Sequence, residues 1–365
     1  MNNNTYLKIN LKNLVANFLF LKSKISDTTK FLAVVKAFGY GSDSIQIAKC
    51  LEKHSIDYLA VAYTSEAIQL RENGIKIPIL VLHPQIGDFK DIFKYDLEPN
   101  IYSFKILNEF INYTSINNNQ PIHLKFNTGL NRLGFKYSDI NNLCDIIISN
   151  NLNIKYIFSH LGASEDLSEI QFTEIQIKLF EKISEDIEKK LNRKIDKHLL
   201  NTSGILNFSD YQFNMVRSGI GLYGFGNDSN YRSDLKPVVS LISTISQIHE
   251  IKKGESVGYN RGFIADKNTK VGIVPIGHAD GISRKLGNRK GKLVVNDVHC
   301  DIIGNVCMDM LMIDISSVDC NEGDKVIVFD EEKQTAEDFS KYSDTISYEI
   351  LTSISHRIRR TYWSD

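Results

Sequence analysis

The sequence contains no apolar run approaching the roughly 18 residues of a membrane span. Proline is scarce, with 6 residues, and 22 glycines in 365 residues leave little room for low-complexity linker. Charge of one sign is missing too. Lys plus Arg number 43 and Asp plus Glu 44, a net of −1, which argues against a basic nucleic-acid surface and against an acidic solvating tail. Five cysteines (Cys50, Cys144, Cys300, Cys307 and Cys320) are odd in number, widely spaced and form no C-x-x-C. Neither a disulfide framework nor a zinc site is expected from them. The opening MNNNTYLKINLKNL lacks a basic segment followed by an apolar stretch and a small-residue cleavage site, so a cytoplasmic protein without membrane association is expected. What is present is a hydrophobic share of 42% and a charged share of 24%, ordinary for a globular chain with a sizeable core. The length suggests about two domains.

The first two thirds alternate Val/Ile/Leu-rich runs with amphipathic stretches. The runs are FLAVVK (31–36), DYLAVA (57–62), IPILVL (77–82), a weaker DLEPNI (96–101), IHLKFN (122–127), IKYIFSH (154–160), KHLLN (197–201) and NMVRSG (214–219). They do not alternate cleanly with polar residues, as expected of strands buried on both faces. The clearest helix spans 168–191, with Ser168 and Gln171 as a capping box and Ile175, Leu179, Phe180, Ile183, Ile187 and Leu191 at helical spacing. Eight strands alternating with helices over about 230 residues fit a (β/α)8 barrel. A doubly wound open sheet competes, but no G-x-G-x-x-G follows the first strand. After about residue 235 strand-like runs with turn signals take over: 238–251, 269–277, 292–296, 300–306, 310–316 and 325–330. A short helix is expected at 335–343. The expected class is therefore α/β: a barrel over 1–235, then a mostly antiparallel β domain over 236–365. The first few residues are candidates to pack with the second domain.

In a parallel barrel, chemistry gathers at the C-terminal ends of the strands. These runs end in Lys36, in Lys125 with Arg132 just beyond, in His160, in Asn201-Thr202-Ser203, and in Arg217-Ser218-Gly219-Ile220. The result is a cationic rim on an apolar cylinder. Lys36, at a strand end, is open to desolvation, which lowers an amine's pKa and makes it nucleophilic, as a Schiff base to an aldehyde cofactor requires. A lysine snorkelling out of a strand end is the plainer alternative. The loops after strands seven and eight commonly bind phosphate. Here they offer Thr202, Ser203, Gly219 and Ile220, and Tyr40 could add a phenol, although ordinary turn chemistry explains the same residues. In the β domain, ESVGYNRGF, PIGHADG and GNVCMDM are glycine-punctuated loops around Tyr259, His278 and Met308.

Together AVVKAFGYG, NTGLNRLGF, FSHLGA, VRSGIGLYG, GYNRGF, PIGHADG and GNVCMDM resemble, in the same order, the sequence blocks of the alanine racemases, fold-type III pyridoxal-phosphate enzymes. The likeness runs from about Lys8 to Tyr362. It implies interconversion of L- and D-alanine with pyridoxal phosphate, supplying D-alanine for peptidoglycan, in a homodimer with shared active sites. Lys36 would hold the cofactor and act as one base. Tyr259, from the other subunit, would be the second base. Arg217 would face the pyridine nitrogen with His160 behind it. Arg132 would reach the cofactor phenolate and the substrate carboxylate, oriented by Lys125, a position often carbamylated. Tyr40, Thr202, Ser203, Gly219 and Ile220 would hold the phosphate, and Met308 of the partner would offer a backbone amide to the substrate.

The sequence departs from the family pattern at Phe38, Ser42 and Asn127. It also has His278 and His356 where tyrosines are common, the second one touching the phosphate. These two histidines are expected to add a titration near about pH 6–7 at the substrate entrance. A broader amino-acid racemase and a pyridoxal-phosphate carrier stay open as alternatives. The carrier would lack the β domain and Tyr259.

Overall fold

The structure is a computed structural model that describes residues 5–113, 119–226, 231 and 233–364. Strand β1 is Tyr6–Asn10. The next eight strands are β2 (Lys30–Val34), β3 (Tyr58–Val61), β4 (Ile79–Val81), β5 (Glu98–Ile101), β6 (Ile122–Lys125), β7 (Ile154–Phe158), β8 (Asp196–His198) and β9 (Met215–Ser218). These eight pair in parallel and close, with β9 hydrogen-bonded back to β2 in the register Leu32↔Arg217. Each overlaps one of the eight apolar runs, so the (β/α)8 reading holds and the open sheet does not.

Alternation along the strands sorts the side chains. Leu32, Tyr58, Ala60, Leu80, Tyr156 and Met215 form a separate cluster that plugs the barrel interior. Phe31, Ala33, Leu59, Val61, Ile79 and Val81 belong to the larger core under the helices. Each inward position is two residues from the next. Leu32 and Val34 therefore lead to Lys36, Tyr156 and Phe158 to His160, and Met215 to Arg217. The periodicity that buries the plug also delivers polar side chains to the mouth.

The helix Ile170–Leu191 follows a 3-10 turn at Leu167–Glu169. Asp166 caps that 3-10 turn, and no side chain caps the helix itself, so the Ser168–Gln171 box does not form: the Asp166 carboxylate accepts from the Ser168 amide at 2.9 Å and the Ser168 hydroxyl at 2.6 Å. The acidic side chain can satisfy both donors at once, which the Ser168 hydroxyl cannot do.

The remaining strands are β10 (Val239–Thr244), β11 (Gln247–Ile251), β12 (Ser256–Val257), β13 (Phe263–Ile264), β14 (Thr269–Val274), β15 (Lys292–Val295), β16 (Val298–Ile303), β17 (Leu311–Asp314), β18 (Lys325–Phe329) and β19 (Arg359–Trp363). The run 238–251 is one stretch in sequence but two strands in space. β10 pairs with β1 and β18, whereas β11 pairs with β14. A nine-stranded sheet results, ordered β11-β14-β17-β16-β15-β18-β10-β1-β19. All its pairings are antiparallel except β1 with β19, which joins the two ends of the chain. Thr335 and Asp338 cap the helix Ala336–Lys341, and a further helix, Ser347–Ser353, precedes β19. All five cysteines are free. No helix among the described residues is long and apolar enough to cross a membrane.

Candidate active site

The mouth of the barrel is a cavity of about 600 Å³. Four cationic side chains line it (Lys36, Lys125, Arg132 and Arg217), and among the described residues no Asp or Glu does. Tyr40, His160, Thr202, Ser203, Gly219 and Ile220 complete much of the wall. Among the described residues no group of three or more His, Cys, Asp or Glu could hold a metal ion.

Lys36 opens a left-handed turn. Ala37, Phe38, Gly39 and Tyr40 all have φ between 52° and 61°. For the three residues that are not glycine this costs on the order of 1 kcal/mol each, so the surroundings must hold the turn. Glu66 accepts from the Ala37 amide at 2.6 Å, Tyr40 stacks on Tyr223 with ring centroids 4.6 Å apart, and Arg360 donates to the Gly41 carbonyl at 2.8 Å. Burial, then the Arg132 charge, lowers the Lys36 pKa; Glu66 opposes this.

Lys125 is more perturbed. Burial, then Arg132, Arg217 and Lys36, push its pKa down to about 7. The loop after β6 places Arg132 over it. Asn127 Oδ1 accepts from the amides of Gly129 at 3.1 Å and Asn131 at 2.9 Å, folding the segment back. Gly134, at φ 127°, allows this, since a Cβ there would meet the Asn127 nitrogen at 2.6 Å. Among the described residues no ion pair or hydrogen bond holds the Arg132 side chain.

Arg217 is held on several sides. It donates to His198 Nδ1 at 2.6 Å, to the carbonyls of Ser159 at 2.8 Å and Leu199 at 2.9 Å, and to His160 Nδ1 at 3.2 Å. Burial, then the Arg217 charge, keeps His160 and His198 well below the ordinary imidazole pKa. Both are therefore neutral acceptors. Opposite Arg217, the Thr202 and Ser218 hydroxyls hydrogen-bond at 2.9 Å. The Tyr40 phenol lies so close to Gly219 that a Cβ there would meet its oxygen at 2.1 Å.

Tyr259 and Met308 are absent from this wall. They line a second concavity of about 530 Å³ on the β domain, and are 75% and 59% exposed. Gly258, at φ 77°, starts the turn carrying Tyr259, and Asn305 donates to the Tyr259 carbonyl at 2.9 Å. The His278 amide donates to the Cys307 carbonyl at 2.9 Å, and the Ala279 amide to the Met308 carbonyl at 3.0 Å, so the PIGHADG and GNVCMDM loops form one surface.

Two family models match, one described as the alanine racemase N-terminal domain over residues 9–226, the other as its C-terminal domain over 238–362. The chain belongs to the alanine racemase family. It is 34% identical to the alanine racemase of Thermodesulfovibrio yellowstonii over 364 residues, covering 97% of this chain and 96% of that one. The alanine racemase of Clostridium difficile 630 superposes with a TM-score of 0.93 at 31% identity, covering 100% of this chain and 96% of the other. That of Bartonella henselae, solved with covalently bound pyridoxal phosphate, superposes with a TM-score of 0.90 at 28% identity over 99% of each chain.

One residue assigned from the racemase resemblance falls elsewhere. His356 is exposed and lies against Phe38, with ring centroids 4.3 Å apart, outside the residues lining the cavity. Tyr348 lines the cavity instead. The first turn of the helix Ser347–Ser353 sets its ring 6.0 Å from that of Tyr40, whereas His356 comes after that helix has ended. Sequence reasoning missed Tyr348, and also His198, which contacts Arg217 directly. His198 could have been found as an inward position of the seventh run, level with Phe158 on the neighbouring strand.

Proposed function

We propose that this member of the alanine racemase family interconverts L- and D-alanine by moving the Cα proton between two bases, Lys36 and Tyr259, on opposite faces of pyridoxal phosphate. The observation that carries the reading is the acid-free cavity with four cations. It matches a ligand set with three negative centres: a phosphate, a ring phenolate and a substrate carboxylate. The family supplies the cofactor's identity. Its aldehyde and ring, when bound, acidify the substrate's Cα–H bond.

The residues then divide the work. Lys36 holds the cofactor through its amine, and the burial that lowers its pKa favours the uncharged form that a base requires. Tyr40, Thr202, Ser203, Gly219 and Ile220 surround the phosphate position, and Tyr348 closes it from above. Arg217, which only donates, would face the pyridine nitrogen and disfavour its protonation. This weakens the electron sink and makes turnover depend on two well-placed bases. Arg132 takes the substrate carboxylate. Lys125 with a pKa of about 7 has a neutral amine fraction able to add carbon dioxide, and the carbamate would hold Arg132. Tyr259 and Met308 reach the mouth from a second copy of the chain in a head-to-tail homodimer. Their exposure in one copy supports this. D-Alanine so made would serve peptidoglycan.

The test is exchange of the Cα proton of each alanine enantiomer in D2O, followed by chiral analysis. Lys36→Ala is expected to abolish both exchange and racemisation. Tyr259→Phe is expected to abolish racemisation, since one face then lacks a base. Racemisation by Tyr259→Phe at wild-type rate would overturn the two-base reading.

A further inference from the structure

A ladder of buried polar side chains runs through the barrel interior from its floor to Arg217. Glu98, at the start of β5, accepts from Lys155 Nζ at 2.7 Å and from the Tyr58 hydroxyl at 3.2 Å. Its carboxylate lies 2.8 Å from His123 Nε2. His123 Nδ1 lies 3.1 Å from His198 Nε2, and His198 Nδ1 lies 2.6 Å from Arg217. His123 and His198 are fully buried, and Glu98 and Arg217 nearly so. His123 stacks on Tyr156 and His198 on Phe158, with centroids 4.8 and 4.5 Å apart, so both rings are fixed in place.

The two ends of the ladder dictate its direction. A guanidinium only donates and a carboxylate only accepts. His198 Nδ1 must therefore be bare, and its proton sits on Nε2. That proton is donated to His123 Nδ1, so the proton of His123 also sits on Nε2 and is donated to Glu98. Charge states agree. Burial raises the Glu98 carboxyl, but its bonds to His123 and Lys155 outweigh this and hold it below its ordinary value. Burial, only partly offset by Glu98, lowers His123 and favours its neutral form.

We propose that Glu98 is a positioning residue for the reaction: through His123 and His198 it fixes the tautomer that receives Arg217, and thereby the orientation of Arg217 in the mouth. Lys155, which only donates, sits 2.7 Å from Oε1, so an amide in place of the carboxylate would set its oxygen there and its nitrogen toward His123, imposing the opposite polarity against the Arg217 end. The Gln amide would donate to His123 Nε2, His123 Nδ1–H to His198 Nε2, and His198 would then turn an N–H toward the guanidinium. Two donors facing each other would displace Arg217. The consequence for turnover rests on the racemase reading; the polarity does not.

Tautomers are read directly from ring nitrogen shifts and couplings in 15N-histidine-labelled holoenzyme. In the wild type, His123 and His198 are expected as neutral Nε2–H forms. This needs no variant, and an Nδ1–H or imidazolium form at either residue overturns the proposal. In Glu98→Gln both rings are expected to switch to Nδ1–H. The kcat should then fall by on the order of tenfold, the scale on which outer hydrogen-bond partners act on the groups they orient, with KM for alanine nearly unchanged. Unswitched rings in a folded Glu98→Gln protein overturn the proposal, and so do switched rings with wild-type kcat. Wild-type Nε2–H rings in a protein that racemises nothing would sink the racemase reading alone.

Discussion

The barrel mouth and the loop surface of the β domain carry the same kind of residue in opposite circumstances. At the mouth, Arg217 has acceptors on several sides, and Lys36 and Lys125 are desolvated enough to shift their pKa values. On the loop surface, Tyr259 stands 75% exposed beside exposed Met308 and Met310. In the first region Lys36, Lys125 and Arg217 are buried and positioned within their own chain. The second is ordered by its own glycines and backbone bonds, yet presents an apolar and phenolic surface to solvent. Exposed patches of that kind mark association sites, and residues lent across a symmetric interface complete sites that one chain leaves open. In the proposed homodimer, preorganisation would fall to the barrel and completion to the partner.

The sharpest way to break this comparison is to mix two dead proteins. Lys36→Ala and Tyr259→Phe are each expected to lack racemase activity. If sites are shared, a mixed dimer has one intact site, with Lys36 from one copy and Tyr259 from the other. Random pairing makes about half of the dimers mixed, so about a quarter of wild-type turnover should return after subunit exchange. A mixture that stays dead, although exchange is verified by mass spectrometry, would show that no site takes Lys36 from one copy and Tyr259 from the other.

A smaller effect sharpens the barrel side. Gly219→Ala puts a methyl group 2.1 Å from the Tyr40 oxygen, and Tyr40 cannot yield freely because it is stacked on Tyr223. Overpacking of this sort costs about 1–3 kcal/mol. Because Tyr40 lines the cavity, the loss should show as a lower melting temperature without cofactor and, on the proposed phosphate position, as weaker pyridoxal phosphate binding by fluorescence titration. A matching change in the β domain, at Gly254 in the turn between β11 and β12, meets nothing within 4 Å. Its φ of 89° alone makes Gly254→Ala mildly destabilising, without any effect on the cofactor.

The barrel was legible because strands covered on both faces read as apolar runs, and the C-terminal ends of those runs then pointed to Lys36, Lys125, His160 and Arg217. Other parts depended on information that no local pattern carries. The left-handed turn after Lys36 includes Ala37, Phe38 and Tyr40, which have no intrinsic preference for positive φ and are held by the distant Glu66, Tyr223 and Arg360. The strand pair β1–β19 joins Tyr6 to Arg359 across the length of the chain. Glu98 sat in the weakest of the eight runs because a buried carboxylate dilutes the apolar signal by which strands are recognised. Tyr348 and His356 lie eight residues apart on the same tail, and only the placement of a two-turn helix decides which reaches the cavity.

Acidity supplies the mildest probe of the mouth. Lys125 has its pKa pushed down to about 7 by burial and by Arg132, Arg217 and Lys36, so its ammonium form dominates below that pH and its free amine above. Carbamate formation joins the amine nitrogen to carbon dioxide and releases a proton, so it needs the free amine. The reactive fraction should rise from about one tenth at pH 6 to about nine tenths at pH 8. The three cations that depress the amine also stabilise the carbamate anion, reinforcing the trend. Carbon-13 NMR in labelled bicarbonate should show a carbamate signal that grows over this range and is absent in Lys125→Ala. An exposed lysine with an ordinary pKa near 10.4 would remain almost wholly protonated throughout. A signal independent of pH, or one that persists in Lys125→Ala, would show that the mouth does not desolvate this amine. The contrast with the exposed loop surface would then lose its electrostatic basis.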